Sequence, residues 1–207
     1  MPEEKKMKLR CWELSFIAAI IITLFVTTGL SKSQMALSEK LVRLHVVANS
    51  ESDKDQALKL RVRDTIIEVL GGSLQGITDP KEAQAVIMHN FGAIECAALD
   101  EISASGYDYG VSVSLALEVF PTREYDTFSL PAGEYTALRV VIGDGDGKNW
   151  WCVVFPPLCT ELATTGALEA AAILDEDEIK LITEEDGYVV RFKCMELLAS
   201  LKSFFNK

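Results

Sequence analysis

Hydrophobic positions change their period several times along the chain, and each change marks an element. Residues 14–30 form an uncharged apolar run containing Phe16, Ile17, Ile20, Ile21, Ile22, Leu24, Phe25 and Val26. Lys5, Lys6, Lys8 and Arg10 precede it, diluted by Glu3 and Glu4. Basic residues followed by an apolar stretch are the order of a signal peptide or an N-terminal anchor. The run lies near the lower limit of the roughly 17–25 residues needed to span a bilayer. It exceeds the roughly 7–15 residues of an ordinary signal core. The basic end is expected to stay in the cytoplasm, so residues after Ser31 face outward. Thr27-Thr28-Gly29 and Ser31-Lys32-Ser33 are the small-x-small cleavage candidates, and the pattern leaves cleavage open.

After residue 40 the pattern is that of a folded domain. Leu41–Ala48 is β-rich and ends at the turn signal Asn49-Ser50. A helix follows, with Asp53 expected as cap and Gln56 completing a capping box. Leu58, Val62, Ile66 and Val69/Leu70 give its helical stripe, and Gly71-Gly72 is expected to stop it. A second helix has Asp79 as cap, Pro80 at the first position and Glu82 at the third. Its stripe runs through Ala83, Ile87, Phe91, Ile94, Ala98 and Ile102, and Gly106 ends it. Then the period becomes two: Val111, Val113, Leu115, Leu117 and Val119 alternate with Ser112, Ser114, Ala116 and Glu118, up to Pro121. Tyr135–Ile142 and Trp150–Phe155 are two further strands, and the glycine-rich link Gly143–Asn149 is expected to join them as a hairpin. Thr160–Leu174 is a short helix weakened by Gly166. The acidic stretch Asp175–Asp186 is expected to be solvated at its start. Tyr188–Phe205 fits a terminal amphipathic helix after a strand-like beginning. The predicted class is α+β: an antiparallel sheet with two helices packed on one face and a C-terminal amphipathic helix, after the N-terminal apolar segment. The predicted division is a signal peptide or N-terminal membrane anchor over 1–35 and a single exported α+β domain over 36–207.

Charge narrows the partners. The 207-residue chain carries a formal net charge of −11. Residues 1–13 hold four basic and three acidic groups and residues 14–30 none, so the part beyond residue 30 carries −11 − 1 = −12. Such a domain repels nucleic-acid phosphates and anionic lipid headgroups. The domain is expected to bind no nucleic acid and to meet the membrane only through its N-terminal segment.

No convincing catalytic or metal constellation emerges. The two histidines are His45, in a predicted strand, and His89, on a helix. No serine sits in a Gly-x-Ser-x-Gly elbow. Cys152 and Cys159 have the wrong spacing for a zinc knuckle, and no His-Glu-x-x-His occurs. Asp144, Asp146 and Asn149 resemble a calcium loop but lack its distant glutamate. Aspartates inside Gly143-x-Gly145-x-Gly147 oppose a phosphate, and a strand follows instead of a helix. The expectation is no catalytic residue, no metal, no cofactor and no small-molecule substrate. Cys152, Cys159, Cys96 and Cys194 are candidates for disulfides or buried thiols; four cysteines allow three pairings. Cys96 and Cys194 read as buried thiols on helical apolar faces. Trp150 and Trp151 point to opposite faces of their strand. One of them exposed would suit a binding hot spot, and both half-buried would suit packing.

Particular strings carry a resemblance. Arg43-Leu44-His45-Val46-Val47-Ala48-Asn49-Ser50 leads through Asp55-Gln56-Ala57-Leu58-Lys59 to Val62-Arg63-Asp64. Phe120-Pro121-Thr122 and Leu130-Pro131-Ala132-Gly133-Glu134-Tyr135-x-Ala137-Leu138-Arg139-Val140 follow. Last comes Gly147-Lys148-Asn149-Trp150-Trp151-Cys152-Val153-Val154-Phe155-Pro156-Pro157-Leu158-Cys159. Together, over roughly 41–159 with a looser match at Tyr188–Phe205, they resemble the stage II sporulation protein R family. The resemblance implies a protein made in the forespore and exported across its membrane to the intermembrane space, secreted or anchored. There it would activate a membrane-embedded aspartic protease that processes a mother-cell sigma-factor precursor. The alternatives are an exported cysteine-dependent hydrolase, pairing Cys152 with His45, and a non-catalytic septal scaffold. Candidate partner-binding residues are Arg43, His45, Asn49, Lys59, Arg63, Asn149, Trp150 and Trp151. An ion pair of Arg43 or Arg63 with Asp64, holding helix to sheet, is the structural alternative for those residues. The role of residues 160–187 stays open.

Overall fold

Strand β1 (Val42–Val47) is buried at all six positions. Val42, Leu44 and Val46 point to one sheet face, and Arg43, His45 and Val47 to the other. A strand covered on both faces needs partners on both edges, because no water reaches its backbone groups. The computed structural model, which describes residues 15–16, 34–125, 128–158 and 173–183, supplies both. β2 (Val111–Phe120), β5 (Gly133–Ile142) and β6 (Asn149–Phe155) join β1 in one sheet of order β2-β5-β1-β6. A short β3 (Arg123–Glu124) and β4 (Ser129–Leu130) pair separately.

The sheet is mixed, which corrects the expected all-antiparallel arrangement. β2 and β6 run antiparallel to their neighbours, but β1 and β5 are parallel, with Val42 opposite Thr136 and Val47 opposite Val141. Parallel neighbours need a long crossover, and the helices plus β2 provide it. A second correction concerns the expected hairpin: β5 and β6 are not neighbours, because β1 lies between them. The 143–148 loop therefore passes over the C-terminal end of β1.

Three helices cover one face. α2 (Asp53–Leu74), α3 (Pro80–His89) and α4 (Phe91–Ala104) bury Leu58, Val62, Ile66, Leu70, Ala83, Ile87, Ile94, Ala98 and Ile102 against Val42, Leu44, Val46, Leu138, Val140 and Val154. Ser52, not Asp53, caps α2: its hydroxyl accepts from the Asp55 N–H at 3.2 Å. Asp53 and Asp55 then occupy the first turn, where the helix dipole favours carboxylates. Gly71-Gly72 do not stop α2, because the stripe continues to the buried Leu74 and packing outweighs glycine propensity. The expected second helix is divided at Asn90, whose side-chain amide donates to the Val86 carbonyl at 2.8 Å. Such a local bond competes with the helical ladder. Asp79 and Pro80 start α3 as the sequence predicts.

A second layer partly roofs the other face. α1 (residues 34–40) brings Leu37 against Phe120, Phe128, Leu130, Tyr135 and Val153. Leu174, just before α5 (Glu176–Thr183), and Ile182 on it join the same cluster. The start of the acidic stretch is thus docked rather than solvated. Glu178 Oε2 accepts from the Asp175 N–H at 2.8 Å as a capping box and meets Lys40 Nζ at 2.7 Å. The predicted targeting run, the stretch 159–172 and the Tyr188–Phe205 segment lie outside the described residues, apart from positions 15 and 16.

Two glycines test the loop crossing against helix propensity. A Cβ on Gly147 would press on the Ser50 carbonyl oxygen and Ala48 Cβ, whereas one on Gly71 would meet nothing within 4 Å. Gly147→Ala is expected to destabilise by about 1–3 kcal/mol. Gly71→Ala is expected to stabilise by about 0.5–1 kcal/mol. Denaturant unfolding of each checks the opposite signs.

Candidate functional site

The strand crossing is held by a clasp of polar groups. Where the loop passes over β1, the N–H of Gly147 donates to the Ala48 carbonyl at 2.9 Å, and that of Asp146 to the Asn49 carbonyl at 3.1 Å. Asn49 Oδ1 accepts from the Asp144 N–H at 3.0 Å. Gly143 and Gly145 have φ of 58° and 71°, a region other residues rarely occupy. Behind the loop, Asp55 Oδ2 accepts from Asn49 Nδ2 at 3.1 Å and Ser50 Oγ at 2.5 Å, and Tyr109 donates to Oδ1 at 3.3 Å. Lys59, almost fully buried, donates to Gln56 Oε1 at 2.6 Å and the Lys148 carbonyl at 3.0 Å. Burial lowers its pKa, assisted by the nearby charges of Lys148 and Arg63. These residues join the end of β1, the start of α2 and the loop into one unit.

Arg43 and His45 project from the opposite face. Arg43 is fully buried, with Nε donating to the Cys152 carbonyl and Nη2 to the Tyr125 hydroxyl, both at 2.9 Å. Its guanidinium lies 4.2 Å from the Phe120 ring centroid and 5.0 Å from that of Tyr135. Aromatic faces compensate part of the lost hydration. Burial lowers its pKa, opposed by Tyr125 and Tyr135. Nη1 has no hydrogen-bond partner among the described residues.

His45 stacks on Trp151 at 3.9 Å and 18°. Its Nδ1 lies 2.7 Å from Glu118 Oε2 and its Nε2 2.9 Å from Asn149 Oδ1. Glu118 also approaches Arg139 Nη1 at 3.6 Å. Both ring nitrogens of His45 are therefore engaged.

Trp150 lies on the helix side, beneath Arg63, whose guanidinium carbon is 4.4 Å from its ring centroid. Arg63 pairs at 2.6 Å with its neighbour Asp64. Both tryptophans are half-buried, the arrangement that suits packing. The candidate partner-binding residues thus fall into two groups. Asn49, Lys59, Arg63 and Trp150 gather with the exposed Lys148 on the α2–β6 flank, while Arg43, His45, Asn149 and Trp151 lie across the sheet.

The cysteines separate as well. Cys152 is disulfide-bonded and packs on the helix face, opposite Leu44. His45 points to the other face, so the sheet stands between the two members of the proposed Cys–His pair. Cys96 is a free, exposed thiol instead of a buried one, because the buried stripe of α4 is Ile94, Ala98 and Ile102, and position 96 lies off it. Cys159 and Cys194 lie outside the described residues.

Fold and clusters together define a class: a small α+β domain whose strongest polar clusters hold its own strands, loop and helices in place. The chain belongs to the stage II sporulation protein R family, whose model matches residues 38–165. Stage II sporulation protein R of Bacillus subtilis (strain 168) is 37% identical over 140 residues, covering 63% of this chain and 62% of that protein. The chain therefore matches less than two thirds of that relative's length. No solved structure matches the chain.

Several members of these clusters escape sequence reasoning. Glu118 reads as an outward residue of an alternating strand. Only the register that places β2 beside β5, and β5 beside β1, brings it to His45. Asp55 and Tyr109 meet across 54 residues. A buried aspartate beside Asn49, Ser50 and Ser52 had one local signal: three capping-type residues just before a helix.

Asp55 generates a pH prediction. The Ser50 hydroxyl, with help from Asn49, Ser52 and Tyr109, holds its pKa below the ordinary 3.8, against the upward push of burial. A carboxylate depressed in the folded state stabilises above its unfolded pKa and loses that contribution as pH falls through the folded value. Asp55→Asn is expected to melt below the parent at neutral pH, with the gap narrowing as pH falls below 3.8. A gap that stays constant through that acidic range would show that the carboxylate charge is not what holds the clasp.

Proposed function

We propose that the chain is an exported sporulation signal that acts by contact. It crosses the forespore membrane by its N-terminal segment, is secreted or stays anchored in the intermembrane space, and activates a membrane-embedded aspartic protease. The protease, not this chain, cleaves the mother-cell sigma-factor precursor. Family membership over residues 38–165 is the observation that carries this reading. The positions of Cys152 and His45 on opposite sheet faces favour contact over cysteine-dependent hydrolysis.

Activation by a non-catalytic partner requires differential affinity: the signal binds the active arrangement of the protease more tightly than the resting one. The α2–β6 flank offers the contact. Lys148 is exposed there, Arg63 lies over Trp150, and the clasp fixes their backbone. Its charges are of both signs, Lys148 beside Asp144 and Asp146 and Arg63 beside Asp64, so a complementary pattern on the protease would set orientation and disfavour random encounters.

Co-expression in non-sporulating cells tests the proposal. This chain, the membrane protease and the sigma-factor precursor are produced together, and precursor cleavage is followed by immunoblot. Cleavage is expected only with all three, and is expected to survive Cys96→Ser, which removes the one free thiol among the described residues. An intact precursor with all three proteins made and this one exported would refute the trigger role. Cleavage lost with Cys96→Ser, in a variant that melts like the parent, would favour thiol chemistry.

A further inference from the structure

Among the described residues, β2 is an edge strand with little to protect it. Its register with β5 is unbroken over ten pairs, from Val111–Ile142 to Phe120–Gly133. Natural edges are guarded by bulges, lysines, prolines or covering elements. β2 has no proline, no basic residue and no bulge, and its one charge, Glu118, is tied to His45 and Arg139. Among the described residues, β5 is its only sheet partner. Leu117 and Val119 on its helix-side face are 66% and 73% exposed, the most exposed large apolar side chains of the sheet.

Its pattern is complementary to itself. The ladder must close before Phe120, which is buried in its own molecule, and Pro121, which has no N–H. A two-fold axis through Leu115 then pairs residues 111–119 with their copies. On the helix side, Leu115 meets its copy, Val113 meets Leu117 and Val111 meets Val119, so both exposed side chains gain apolar partners. On the other side, Ser114 meets the small Ala116, and Ser112 meets Glu118, to which its hydroxyl can donate. The two Glu118 carboxylates stand six positions apart along the ladder, roughly 20 Å, so no like charges face each other. Neighbouring registers leave this match incomplete. An axis through Ser114 or Val113 would set Val119 opposite Tyr109 or Tyr107, before the strand begins at Val111. One through Ala116 or Leu117 would draw the buried Phe120 into the ladder, opposite Ser112 or Ser114.

We propose that β2 pairs antiparallel with β2 of a second copy about Leu115, extending the four-stranded sheet to eight strands. The pairing needs neither the protease nor the α2–β6 flank. An interface of one strand pair is below the roughly 1,200–2,000 Å² of stable complexes, so the dimer is in concentration-dependent exchange with monomer.

Disulfide trapping of the exported full chain tests the register. In a Cys96→Ser background, Leu115→Cys places two Cβ atoms about 4.5–5.5 Å apart across the axis. A disulfide-linked dimer that the Cys96→Ser background lacks is expected on a non-reducing gel. Ser112→Cys, roughly 20 Å from its copy, is expected to give none beyond the background. The paired variant Leu117→Lys with Val119→Lys changes exposed positions only. In sedimentation of the detergent-solubilised full chain it is expected to raise the dimer dissociation constant about tenfold or more. Equal trapping at positions 112 and 115, an unchanged dimer in the lysine variant, or monomer alone up to about 100 µM would each overturn the proposal.

Discussion

The central position of β1 is the constraint on which the rest of the structure depends. A six-residue strand buried at every position must be hydrogen-bonded on both edges and covered on both faces. Parallel β5 takes one edge and antiparallel β6 the other. Since β5 and β6 are consecutive in the chain, the link between them must cross the end of β1. That crossing explains the three glycines of 143–147, the carbonyl acceptors at Ala48 and Asn49, and the buried carboxylate of Asp55 behind them.

The same constraint decides how the polar residues of β1 are accommodated. Arg43 cannot reach water, so backbone and tyrosine oxygens with two aromatic faces surround it. His45 sits between Glu118 and Asn149 against Trp151. Arg43 and His45 are therefore both held by partners within the fold. Among the described residues, the α2–β6 flank and the β2 edge are among the surfaces that face outward.

Features set by neighbours in sequence were legible. The alternation of 111–119, the Asp79-Pro80 start of α3 and the stripe Leu58, Val62, Ile66 each depend on local spacing, and each element formed. Features set by distant partners were not. The parallel pairing of Val42–Val47 with Thr136–Val141 is invisible to periodicity, and so is the strand that intervenes between β5 and β6. Leu74 carries α2 through Gly71-Gly72 because tertiary burial outweighs propensity. The acidic run from Asp175 looked solvated, but Glu178 finds Lys40 and Leu174 finds the second core. At the candidate site, Asn149, Trp150 and Trp151 were read from their residue types, whereas their division between two sheet faces required the strand register.

If the crossing governs the fold, the residues that clasp it must act together. A double-mutant cycle of Asn49→Ala and Asp55→Ala, read by denaturant unfolding of the full chain, measures this directly. A coupling of roughly 0.5–3 kcal/mol is expected, as for residues of one hydrogen-bond network. Effects that add to within about 0.3–0.5 kcal/mol would mean that the two residues act independently, and the clasp would not be the unit that holds the strand crossing.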